Sequence, residues 1–86
     1  MNKIYIICTH NAGGRYLYDA TTHAEQARDT AERLAQAYTA EGYELTERQH
    51  VRDGFHDSAP DVTDVWHLRK QTGDWCNVEL YATVDK

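Results

Sequence analysis

One segment of the sequence, between Thr22 and Gly42, has a clear helical pattern. Its apolar residues recur at steps of three and four and form one stripe: Ala24, Ala27, Ala31, Leu34, Ala35 and Tyr38. Thr22 and Glu25 have the spacing of a capping box, and Gly42 stands where a helix end favours glycine. The pattern predicts a helix over about His23–Glu41. Because its stripe is mostly alanine, we expect this helix to lie close against a sheet.

The rest of the chain has the patterns of β-strands. Five segments are rich in β-branched and aromatic residues or alternate between apolar and polar residues: Lys3–Thr9, Arg15–Ala20, Glu44–Val51, Val62–Lys70 and Trp75–Val84. Turn residues follow the first and fourth strands, and Arg52–Asp61 is expected to be a loop. We therefore predict an α+β fold in the order ββαβββ. One helix packs on one face of an antiparallel sheet of four to five strands, and residues 1–86 form a single domain.

Composition limits the classes of protein to which this chain can belong. The 86 residues carry a formal charge of −5, and 41% of them are hydrophobic, which favours a folded chain over a disordered one. The longest apolar run, Ile4–Cys8, is too short to cross a membrane. No secretory signal is visible, and two cysteines are too few for a disulfide scaffold, so we expect a cytoplasmic protein.

Residues that could support catalysis or bind a metal are few. Cys8 and His10 would share one face of the first strand, and Cys76 would join them if the last strand pairs beside the first. The sequence has no metal-ligand spacing, nucleophile elbow or phosphate-binding glycine loop. We therefore predict no catalytic activity, no metal and no cofactor. A small metal-binding or thiol-dependent protein using Cys8 and His10 stays open as an alternative.

Nucleic-acid binding is a second alternative, because aromatic side chains on an open sheet can stack on bases. Six aromatic residues could contribute to such a surface: Tyr5, Tyr16, Tyr18, Trp66, Trp75 and Tyr81. Binding to phosphates, however, needs a basic surface, and this chain is acidic. Direct nucleic-acid binding is therefore disfavoured, although a nucleic-acid-binding or regulatory domain that uses the sheet-face aromatics stays open.

The preferred interpretation is a protein-binding module. One helix can cover only one face of a sheet, so the other face would display aromatic and polar residues of the kind that dominate binding energy at interfaces. On that face we expect Trp66, Arg69, Trp75 and Tyr81 to bind a protein partner, such as a nucleic-acid-binding complex, with His67 as the alternative to Trp66 in the fourth strand. The acidic helix residues Glu25, Asp29 and Glu32 are a second candidate surface, suited to a basic partner. The oligomeric state is left open.

In its size, its acidity and its helix-on-sheet pattern, the chain resembles small phage-encoded inhibitors, in particular proteins of the anti-CRISPR type. The likeness extends over the whole chain in outline, and no motif carries it. It implies an inhibitor that occludes a site on a bacterial defence complex, a CRISPR effector, and performs no chemistry. A formal charge of −5 is small for a mimic of nucleic acid and favours occlusion by protein contact.

Overall fold

A computed structural model describes residues 3–50 and 61–84 of the chain. Its elements follow the predicted order ββαβββ: β1 (Lys3–Asn11), β2 (Gly14–Thr21), α1 (Ala24–Ala40), β3 (Glu44–His50), β4 (Asp61–Arg69) and β5 (Trp75–Val84). The five strands form one antiparallel sheet with the strand order β2-β1-β5-β4-β3. The predicted α+β class is thus confirmed. The loop expected over Arg52–Asp61 lies outside the described residues, except for Asp61 at the start of β4.

The last strand of the sequence lies at the centre of the sheet. β5 pairs with β1 on one side and with β4 on the other, and β2 and β3 form the two edges. Directly opposed residues share a face of the sheet, so Ile7, Leu80 and Asp64 lie on the same side. Both edge strands carry an irregularity, in β2 opposite Ile7/Cys8 and in β3 between Leu45 and Glu47.

The helix packs on the sheet through alanine, as the sequence predicts. Ala27, Ala31 and Ala35 are buried, and Leu34 and Tyr38 pack at the side of the core. Beneath them lie the inward-facing residues of three strands: Ile7, Trp66, Leu68, Val78 and Leu80. Small side chains let the helix backbone approach the sheet, so the larger volume in this core comes from the strands. Among the described residues, no helix is both long and apolar enough to cross a membrane.

The two ends of α1 differ in how well the sequence predicts them. At its C-terminus the expectation is confirmed: Gly42 has φ +105°, its N–H donates to the Thr39 carbonyl, and Tyr43 packs edge-on against Tyr38. At its N-terminus the capping box is wrong. The residue that caps the helix is His23, whose side chain makes no capping hydrogen bond, so Thr22 lies one residue too early.

Candidate protein-binding face

One face of the sheet is not covered by any described element, and we call it the uncovered face. Its members are the strand residues that alternate with those facing the helix, because neighbours along a strand point to opposite sides. They include Ile4, Ile6, Cys8 and His10 in β1, Trp75, Asn77, Glu79 and Tyr81 in β5, Val65, His67 and Arg69 in β4, and Arg15 and Leu17 in β2.

A carboxylate lies at the centre of this face. Glu79 is only 5% exposed, and it is opposed by Cys8 in β1 and by Val65 in β4. Its Oε1 accepts a hydrogen bond of 2.9 Å from the Arg15 Nε and another of 2.9 Å from the Tyr81 hydroxyl. The Oε2 atom lies 3.6 Å from Nδ1 of His10. Burying a carboxylate is costly unless it is paired and hydrogen-bonded, and these groups supply that compensation.

The Glu79 carboxylate changes the proton affinity of its neighbours. Burial, and then the hydrogen bond to Glu79, raise the pKa of Tyr81 to about 12. The hydrogen bond and the charge of Glu79 raise the pKa of Arg15 as well, so this guanidinium stays charged. Both neighbours therefore keep their protons to higher pH than usual, and they remain hydrogen-bond donors to Glu79 well above neutral pH.

Cys8 lies beside Glu79 but does not have the electrostatics of a nucleophile. Burial is the main cause that raises the pKa of the Cys8 thiol, and the negative charge of Glu79 raises it further. Arg15 opposes this rise but does not cancel it. A nucleophilic cysteine needs a thiolate, which a lowered pKa supplies. The surroundings of Cys8 therefore disfavour the thiol-dependent alternative.

The structure contradicts one requirement of the metal hypothesis, which is that Cys76 lies on the same face as Cys8 and His10. The last strand does pair beside the first, as that hypothesis required, but Cys76 lies opposite Asn11 and Leu68, on the helix side of the sheet. Cys8 lies on the uncovered face, so the backbone of the sheet separates the two thiols. In residues 3–50 and 61–84, no group of three or more His, Cys, Asp or Glu residues is placed to hold a metal ion.

Three of the four sheet residues that the sequence assigned to partner binding do share the uncovered face. Arg69 is exposed and is opposed by Trp75 in the neighbouring strand. The Trp75 ring packs edge-on against His10, with centroids 5.1 Å apart and planes at 89°. Tyr81 is half-buried and is held by Glu79. Trp75 and Tyr81 are therefore fixed aromatic groups that still present part of their surface.

The fourth residue, Trp66, is wrongly assigned to this face. It is only 3% exposed, lies opposite Val78, and belongs to the core beneath α1. The Arg48 guanidinium lies 4.9 Å from the centre of its ring on that side. Strand periodicity puts Trp66 on the same side as Leu68, and the adjacent His67 takes the place on the uncovered face. A tryptophan contributes more to the thin core of a small domain than it would on the surface.

The acidic helix residues do not form a uniform surface. Glu25 and Asp29 are exposed on α1. Glu32 lies 3.8 Å from Arg48, which also lies 3.6 Å from the fully buried Asp64. Arg48 therefore offsets part of the negative charge near Glu32 and Asp64. Of the three helix acids, Glu25 and Asp29 are the more exposed and are the ones that would attract a basic partner.

Sequence reasoning missed the two residues that organise the uncovered face, Arg15 and Glu79. The alternation of Trp75–Val84 puts Glu79 on the polar side of its strand, so the sequence predicts an exposed carboxylate there and only the structure shows that it is buried. Its cationic partner could not be found either, because Arg15 is 64 positions away in the sequence. No protein-family model, no curated protein and no solved structure matches this chain.

Proposed function

We propose that this chain is a protein-binding module that contacts its partner through the uncovered face. The observation that supports this most is the buried Glu79, which fixes Arg15 and Tyr81 on a face that no described element covers. A buried carboxylate adds little to the stability of a small domain, because an apolar residue at the same position would have a smaller desolvation cost. On a face that binds another molecule, this carboxylate would hold Arg15 and Tyr81 in fixed positions for contact with the partner.

The side chains around Glu79 suit protein contact. Trp75 and Tyr81 are large, half-buried and held by neighbours, so little side-chain entropy is lost when a partner covers them. Arg69 adds an exposed guanidinium next to Trp75. Aromatic residues and arginine account for a large share of the binding energy at protein interfaces. These three residues are the proposed anchors.

The charge of the chain favours a partner with a basic surface. The formal charge is −5, and Glu25 and Asp29 are exposed on the helix. A field of this sign attracts basic proteins and repels the phosphates of nucleic acids. A bacterial defence complex that binds nucleic acid has such a basic surface. We therefore propose an inhibitor that acts in the cytoplasm of a bacterial host and occludes a site on a complex of this kind.

Capture from bacterial lysate with matched variants tests this proposal. We expect the wild-type chain to retain a protein that Trp75→Ala and Tyr81→Ala retain poorly. Leu45→Ala is the matched control, because Leu45 is an exposed apolar residue on the helix side of the edge strand β3. A captured protein that all variants retain equally would show that the uncovered face is not the site. Binding of a labelled single-stranded oligonucleotide, lost in the same two variants, would support the nucleic-acid alternative instead.

A further inference from the structure

The two edges of the sheet differ in how they are protected against pairing with another strand. The β3 edge carries charged residues at Glu44, Glu47 and Arg48, which is a common protection in natural proteins. The β2 edge carries three consecutive large side chains, Tyr16, Leu17 and Tyr18, which are 54%, 69% and 56% exposed. It contains neither lysine nor proline. Both edges carry an irregularity, but the two charged residues of β2, Arg15 and Asp19, flank its large side chains, and Arg15 is already bound by Glu79. The β2 edge is therefore less protected against strand addition than the β3 edge.

The irregularity in β2 defines which register such an addition would take. Leu17 lies opposite Cys8 and Asp19 lies opposite Ile7, so Tyr18 is an extra residue and the alternation of faces shifts there. On the N-terminal side of Tyr18, Arg15 and Leu17 lie on the uncovered face. On its C-terminal side, Ala20 lies on the uncovered face, opposite Ile6, and Asp19 lies on the helix side.

A second copy of β2 fits this shifted pattern. If a twofold axis passes between Leu17 and Tyr18, antiparallel pairing places Arg15 opposite Ala20 and Tyr16 opposite Asp19, and both pairs join residues on the same face. Moving the register by one residue would pair Arg15 with Asp19 across opposite faces. The strand is also electrically balanced, because its single cation and its single anion lie toward opposite ends. In this register no like charges are opposed, and Arg15 of each copy lies diagonal to Asp19 of the other, although the two side chains are on opposite faces of the sheet.

We propose that two copies of this chain associate through their β2 strands and form one continuous antiparallel sheet. The association covers Tyr16, Leu17 and Tyr18 of both copies and leaves the centre of each uncovered face accessible. The new ladder is short, because the Asp19 carboxylate already accepts a hydrogen bond of 2.8 Å from the Ala20 N–H. The dimer is therefore reversible and its population depends on protein concentration.

Sedimentation equilibrium over a range of protein concentrations tests the dimer. We expect the wild-type chain to shift from monomer to dimer as concentration rises. Leu17→Lys and Tyr18→Lys each place like charges beside the twofold axis, and we expect both variants to stay monomeric at every concentration. Leu45→Lys introduces the same charge at an exposed apolar site on the other edge strand and should still dimerise. Circular dichroism checks that each variant is folded.

Three results would overturn the proposal. One is a wild-type chain that remains monomeric at the highest soluble concentration. Another is a dimer that persists in both folded β2 variants. The third is a dimer that the Leu45→Lys substitution abolishes and the β2 substitutions leave intact, which would assign the association to β3. None of these results bears on partner capture, because the proposed anchors Trp75 and Tyr81 lie on β5.

Discussion

At the scale of single residues, the uncovered face is organised by one buried charge. Glu79 lies in the alternating strand β5, and its carboxylate accepts hydrogen bonds from Arg15 and Tyr81. The energetic consequence is asymmetric, because removing a donor leaves the carboxylate buried without compensation. Removing the carboxylate leaves Arg15, which reaches water.

A double-mutant cycle measures this asymmetry. We expect Arg15→Ala to lower the free energy of unfolding by about 1–3 kcal/mol in the wild-type chain, because a buried charge loses its main partner. In a Glu79→Gln background the same substitution should cost less than about 1 kcal/mol. Urea denaturation at low protein concentration measures both values, and Arg69→Ala, at an exposed position on the same face, is the control. Equal costs in the two backgrounds would show that the pair is not coupled.

Alkaline pH should destabilise the fold. Burial is the main cause that raises the pKa of Tyr81 and of Tyr38 to about 12, and it raises the pKa of the thiols Cys8 and Cys76 as well. The unfolded chain loses these protons at lower pH, so it binds fewer protons than the folded chain above about pH 9. Stability is therefore fully present below that pH and falls as the pH rises toward 12.

The contribution of Tyr81 to this pH dependence of stability can be tested separately. Each group steepens the fall by at most about 1.4 kcal/mol per pH unit. Tyr81→Phe removes one group from the set, so the urea midpoint of this variant should fall less steeply between pH 9 and pH 11. Tyr16→Phe, on the exposed edge strand, is the control for losing a tyrosine hydroxyl. Parallel slopes for wild type and Tyr81→Phe would contradict the assignment.

At the scale of elements, the helix and the sheet are fitted to each other by side-chain size. Ala27 and Ala31 are completely buried, so no room is left between the helix backbone and the strands beneath it. The strands supply the bulk of the core, including Trp66. This division of volume explains why the tryptophan expected on the surface is instead inside.

Enlarging an alanine on the inner side of α1 should therefore be destabilising. We expect Ala31→Leu to lower the free energy of unfolding by about 1–3 kcal/mol, because extra methylene groups must displace the sheet or the helix. Ala37→Leu makes the same chemical change at an exposed position of the same helix and should change stability by less than about 0.5 kcal/mol. Thermal and urea unfolding of both variants provide the comparison. Equal stability of the two variants would show that the contact is not close.

At the scale of the whole molecule, the binding anchors and the exposed acids lie on different sides of the sheet. Trp75 and Tyr81 are on the uncovered face, whereas Glu25 and Asp29 are on the helix that covers the opposite face. Desolvated aromatic anchors act mainly on the dissociation rate, and exposed charges act mainly on the association rate. The two surfaces therefore predict different kinetic effects on one partner.

Binding kinetics with a captured partner can separate these effects. We expect Tyr81→Ala to raise the dissociation rate at least tenfold, because loss of an anchor costs about 2 kcal/mol or more. Reversal of both Glu25 and Asp29 to lysine should slow association severalfold at low salt, and this difference should shrink as salt is added. If the reversal abolishes binding and Tyr81→Ala binds normally, the acidic helix is the binding site and the uncovered face is not.

Local pattern determined which segments fold into which elements. The three- and four-residue spacing of Ala27, Ala31 and Leu34 specifies a helix, and alternation along Trp75–Val84 specifies a strand, because each periodicity belongs to one backbone geometry. The alternation of β5 also separates its core residues, such as Val78 and Leu80, from the residues of the uncovered face. These features depend on residues close in sequence, which is why the sequence was sufficient for them.

Only the tertiary structure decided which elements became neighbours. The strand order places β5 at the centre and β2 at an edge, and this brings Arg15 to Glu79 and leaves Leu17 exposed. It also decided which side of β4 met the helix, so Trp66 became core and Cys76 was separated from Cys8. No local pattern encodes these outcomes, because each depends on packing between segments that are distant in the chain.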